Sequence, residues 1–163
     1  MQHDEVDGIL AAWRRERPDV DASPLEVLSR VSRLAHRAAV VRRKVFSGHD
    51  LDAWEFDVLA ALRRAGVPYQ LSPGQLATET LVTSGTMTNR LDRLAAKGLI
   101  TRLPSPVDRR GVTVQLADEG RERVDAAFSS LVAAEHDLLA DLPPADRAVL
   151  AATLRRLLLA LGG

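Results

Sequence analysis

Cysteine is absent from the 163-residue chain, which removes disulfides, thiolate chemistry, Cys-ligated zinc and sensing by thiol oxidation together. Aromatic residues make up only 4%, so any core must be built mainly from Leu, Ala and Val. No apolar run approaches the roughly 20 residues needed to cross a bilayer. The first residues, MQHDEVDG, lack the basic and apolar segments of a secretory leader, and the reading is a cytoplasmic protein. The four histidines (His3, His36, His49, His136) show no i, i+4 pair and no neighbouring ligand set, so no metal site is expected. There is no P-loop, dinucleotide glycine motif, nucleophile elbow or pair of carboxylates arranged for catalysis. Neither a cofactor nor enzymatic activity is expected.

Net charge is also missing, with 22 basic residues against 22 acidic ones. A neutral total argues weakly against a nucleic-acid partner, but the distribution says more. Residues 83–111 carry Arg90, Arg93, Lys97, Arg102, Arg109 and Arg110 against Asp92 and Asp108, a local balance of +4 that the rest of the chain cancels. A local basic patch, not the total, is the electrostatic footprint of DNA binding.

Helix starts are readable from their punctuation. Ser23-Pro24-Leu25-Glu26 and Ser72-Pro73-Gly74-Gln75 each have the form of a capping box with Pro at the first helical position. Asp52-Ala53-Trp54-Glu55 offers a similar cap, and Pro143-Pro144 opens the last helix. Helices are expected near 5–16, 24–47, 52–65, 73–79, 83–97, 118–140 and 144–161, with a β-hairpin near 99–104 and 111–117. The segment 76–98 has helix–turn–helix logic, and the hairpin that follows it forms a wing with Arg109 and Arg110 at its tip. The expected fold is therefore mainly α with a small β-hairpin wing, a winged helix–turn–helix over 49–117. Flanking helices at 1–48 and 118–163 are expected to form a homodimer interface within one compact domain. The final helix, AVLAATLRRLLLALGG, is apolar around most of its circumference and requires a covering surface.

On a helical wheel for 83–97, Met87, Leu91 and Leu94 form one stripe, assigned to the core. Gly85, Asn89, Asp92, Arg93 and Ala96 lie opposite, flanked by Thr86 and Thr88. Asn and Arg suit bidentate contacts to adenine and guanine edges. Ser84, Thr86 and Thr88 suit phosphate contacts that set register. A solvated polar helix face explains the same residues when they are taken alone; the wing and the basic patch are what favour DNA. Arg90 lies about 60° from the centre of the core stripe, a boundary position suited to a pair or a cleft.

Three stretches resemble the MarR family of winged-helix regulators: EFDVLAALRRAG at 55–66, TMTNRLDRLAAKGLITR at 86–102 and DRRGVTVQLADEG at 108–120. The last is the most specific, although Ala117 stands where the family usually has Thr. The resemblance covers nearly the whole chain. It implies a ligand-responsive homodimer on a pseudo-palindromic double-stranded operator, usually a repressor, with half-sites about 34 Å apart. It also implies that Arg110 enters the minor groove, where it reads groove width, that Arg109 takes phosphate, and that Asp108 braces the wing.

The N-terminal DGILAAWRRERPDVD is similar to the extra helix of the branch that responds to urate and related purine or phenolic ligands. That similarity implies an effector site of Trp13, Asp57, Arg90 and Arg102, taking a small anionic aromatic or purine ligand. Plainer readings stand beside it: Trp13 as an apolar staple, Asp57 as a surface carboxylate favoured by the helix dipole, Arg102 as a phosphate contact, and Trp54 as core. Two other functions stay open on the sequence, a winged-helix assembly module without DNA and a small helical enzyme.

Overall fold

The computed structural model describes residues 3–104 and 111–162. The chain forms two compact units, Met1–Arg42 and Arg43–Gly163. The division falls inside the second helix, Pro24–Ser47. Within residues 118–163, all in the second unit, Val124, Ala127 and Leu131 of the first helix join its core.

In the first unit, α1 (Glu5–Glu16) is capped by Asp4, whose carboxylate accepts the N–H groups of Val6 and Asp7. It buries Val6 and Leu10. The following helix, α2 (Pro24–Ser47), holds α1 electrostatically. Arg30 donates to Asp4 at 2.8 and 3.0 Å and to Asp7 at 2.8 Å, and Arg33 donates to Glu5 at 2.7 Å. The Ser23–Glu26 cap does not form as expected. The Ser23 hydroxyl turns to Asp21 and the Glu26 carboxylate accepts Arg14, because both outcompete a cap bond in this turn. Val27, Leu28, Val31 and Leu34 are exposed along α2.

The second unit is a winged helix extended by two helices. Its order is α3 (Ala53–Arg64), β1 (Gln70–Leu71), α4 (Pro73–Glu79), α5 (Ser84–Ala96), β2 (Ile100–Pro104), β3 (Val112–Leu116), α6 (Asp118–Leu138) and α7 (Pro144–Ala160). The strands form an antiparallel sheet in the order β1-β3-β2, with Arg102 opposite Val114 and Gln70 opposite Gln115. The short β1 was not expected: two residues are too few to show an alternating pattern.

Caps fix the helix ends. Ser72 and Gln75 exchange side-chain and backbone bonds at the start of α4. The turn into α5 closes with Val82 N–H on the Ala77 carbonyl at 3.0 Å and Leu81 in the left-handed region, φ 55°. At the end of α5 the same backbone device recurs around Gly98, φ 70°, with Leu99 N–H on the Leu94 carbonyl. This second turn sends the chain directly into β2.

The core gathers Met87, Leu91 and Leu94 of α5 with Val58, Leu59 and Leu62 of α3, Leu76 of α4 and Val114 of β3. Val124, Ala127 and Leu131 close it from α6. The aromatic contribution is a Phe46–Phe56 stack with centroids 4.2 Å apart. Gly120 lets α6 sit against the sheet, since an added Cβ would collide with the Leu99 carbonyl. None of α7 is buried, and Val149, Leu158, Leu159 and Leu161 face outward. No helix among the described residues is long and apolar enough to cross a membrane.

Gly120→Ala should cost about 1–3 kcal/mol through overpacking, whereas Gly8→Ala, with open space around its Cβ, should gain about 0.5–1 kcal/mol; urea unfolding separates them. Hydrogen bonding to Arg30 holds the Asp4 carboxyl down at about 2. The Asp4 N–H, then Arg30, lowers Asp7 as well. These carboxyls titrate lower in the folded protein than in the unfolded chain. Their contribution is complete above the ordinary Asp value of about 4 and disappears as pH falls toward 2. Arg30→Gln should move the acid loss of α1 protection upward toward pH 4, as read by amide hydrogen exchange.

Candidate nucleic-acid interface

The first turn of α5 is the exposed end of the helix–turn–helix. Thr83 caps it, accepting the Thr86 N–H at 3.3 Å, and the Thr83 and Thr86 hydroxyls lie 3.0 Å apart. The Thr88 hydroxyl donates to the Ser84 carbonyl at 3.0 Å. Two of the three hydroxyls expected to contact phosphate are thus engaged within the helix. Ser84, Gly85 and Asn89 are exposed, and nothing lies within 4 Å of the Gly85 Cβ position. A bare helix start with an open glycine allows close approach of a backbone or a phosphate.

The two arginines of α5 both rest on a neighbouring helix. Arg93, expected on the outward face, folds back over the Trp54 ring of α3, 4.8 Å from its centroid, with Asp52 at 3.6 Å. A long Arg side chain spans from one helix to the next when an aromatic face is presented there. Arg90 rests on the same ring at 5.3 Å. Trp54 is partly buried against the core and its Nε1 donates to Asp52 at 3.2 Å. Lys97, just past α5, reaches both oxygens of the fully buried Glu55, at 2.9 and 3.0 Å. Glu55 also accepts the Asp52 N–H at 2.9 Å.

Arg102 leaves β2 to pair with Asp92 of α5 at 2.6 Å and to donate to the Thr88 carbonyl at 3.4 Å. This bond ties the base of the wing to the middle of α5. Of the six basic residues in the patch, these four are therefore held by intramolecular partners. Arg109, Arg110 and Asp108 lie outside the described residues.

The four residues expected to form an effector site are distributed as follows. Asp57 is exposed on α3. Arg90 lies against Trp54, and Arg102 against Asp92. Trp13 belongs to the first unit, where it is half exposed and lines an apolar cleft of about 370 Å³ with Val20, Pro24 and Leu25. The sequence reading missed Asp52, Trp54 and Glu55 as members of the α5 surroundings. The signal was present in DAWE, but a cap motif gives no indication of what its side chains meet. An open cleft of about 720 Å³ runs beside them, lined by Arg43, Ser47, Asp50, Trp54 and Lys97 among others. No cluster of metal-ligating side chains occurs among the described residues.

A model of the MarR family matches residues 49–111. The transcriptional regulator PecS of Dickeya dadantii is 43% identical over 155 residues, covering 93% of this chain and 92% of PecS. The fold is similar to a mutant MarR of Escherichia coli complexed with operator DNA, at TM-score 0.69 and 28% identity, covering 85% of this chain and 99% of that one. It is also similar to BpsR of Bordetella bronchiseptica, whose DNA binding is regulated by 6-hydroxynicotinic acid, at TM-score 0.61 and 28% identity over 78% of this chain and 98% of that one. With the winged helix, the exposed start of α5 and a relative matched over almost its full length, the chain belongs to the MarR family of DNA-binding transcriptional regulators.

Proposed function

We propose that this regulator is a homodimeric repressor that leaves a pseudo-palindromic operator when a small aromatic or purine anion, such as urate, binds. The observation that carries the DNA side is the exposed first turn of α5 beside a two-stranded ribbon. Gly85, Ser84 and Asn89 meet the major groove, with Thr86 and Thr88 beside them, and Arg93 of the same helix joins them on leaving Trp54. On the family's pattern Arg110 enters a minor groove, Arg109 takes phosphate and Asp108 braces them. The outward apolar residues of α7 support dimerisation, since a helix this apolar needs a cover.

The ligand side rests on Arg102. A planar anion competes with Asp92 for its guanidinium, and Arg90 and Asp57 complete the ligand's surroundings in the second unit. Releasing Arg102 from Asp92 and Thr88 uncouples the wing from α5. A ligand that prefers this uncoupled state lowers operator affinity through a coupling of about 1–3 kcal/mol. The 6-hydroxynicotinic acid response of BpsR supports the chemical class, a small planar ring with an acidic group.

Gly85→Ala adds a methyl where the fold has room, so it should leave unfolding midpoints unchanged or raised yet weaken binding to a palindromic operator several-fold; unaltered binding removes the helix start from the interface. Arg102→Ala severs the same tie, so it should weaken operator binding by about 5–150-fold, the range of a coupling of about 1–3 kcal/mol, while abolishing any further release by urate in an anisotropy assay. Full release in that variant places the ligand elsewhere.

A further inference from the structure

We infer that Asp52 is a built-in competitor of DNA phosphate for Arg93, and that it thereby tempers the affinity of the free regulator for duplex of any sequence. The inference builds on the reading that α5 faces DNA.

The geometry is that of a displaceable rest. Arg93 lies over the Trp54 ring at 4.8 Å, which fixes where its guanidinium waits. Asp52 is oriented toward it by the Trp54 Nε1 donor at 3.2 Å. The Arg93–Asp52 separation of 3.6 Å is an ion pair but longer than a hydrogen bond. Both side chains are largely exposed, 62% and 61%, so water screens the pair and it is individually weak. A second anion can therefore take Arg93 without unfolding anything. By contrast, Lys97 is bound at 2.9 Å to a carboxylate with no exposure, and that pair is structural.

A phosphate offers Arg93 a charge-assisted, bidentate partner that Asp52 does not provide at its present distance. Every DNA complex that uses Arg93 must first detach it from Asp52. The carboxylate thus subtracts affinity from all such complexes and acts as a positioning residue rather than a DNA contact.

Asp52→Asn is the informative change. Asn caps helices as well as Asp, and the backbone N–H bond to Glu55 is kept. Binding is measured on a random-sequence duplex across a salt series, with and without Arg93→Ala. Asp52→Asn should tighten binding several-fold with the log–log salt slope little changed, because Arg93 takes the same phosphate in both proteins, whereas Arg93→Ala should make the slope shallower by about 0.9, the increment for one phosphate contact. In the Arg93→Ala background the same substitution should change nothing. Equal tightening in both backgrounds would mean simple removal of a repulsive charge, and no tightening in either would mean Arg93 is not restrained; each overturns the inference. If the unaltered protein shows no salt-dependent binding at all, the DNA-facing reading of α5 falls with it.

Discussion

Burial of one stripe on α5 governs the second unit. Met87, Leu91 and Leu94 are fully or almost fully excluded from water, and they fall on one face because a helix brings i, i+4 and i+7 together. Once that face is packed against α3 and α4, the rotation of α5 is set. Ser84, Gly85 and Asn89 must then face out, and Arg90 must stand at the edge. The buried Glu55–Lys97 pair anchors the far end of the helix. A buried carboxylate without a cation would be costly, so the pair resists sliding of α5 along α3.

Cations along α5 and at the start of the ribbon are held rather than left extended. Trp54 carries two guanidiniums, Asp92 holds Arg102, and Asp52 stands beside Arg93. Each arrangement holds positive charge at a partly exposed position, at pairing energies small enough to be exchanged. The bond from Arg102 to α5 adds a side-chain tie between β2 and the middle of that helix, beside the turn at Gly98 that joins them along the chain. A change at Arg102 therefore reaches both α5 and β2 at once.

Much of the local structure was legible before folding was considered. Pro and Ser or Asp at helix starts, glycine at position 98 and alternation in VTVQL place the elements within one or two residues. The exceptions have physical causes. Ser23 looks like a cap but bonds Asp21, since the sequence does not show which of two neighbouring partners is nearer. β1 exists because β3 supplies a partner for Gln70 and Leu71, not because of any pattern of its own.

Composition and periodicity by themselves determined the class of molecule: helices with an apolar stripe, a β-ribbon, no thiol chemistry and a basic segment within a neutral chain. Those features are local, or depend on spacings of a few residues. The destination of each cation was decided only by tertiary structure. Trp54 and Arg93 lie on different helices, far apart along the chain, and their stacking follows from the packing of α3 on α5. A wheel gives the direction in which a side chain leaves its helix, but a flexible arginine ends wherever the next element offers a ring or a carboxylate.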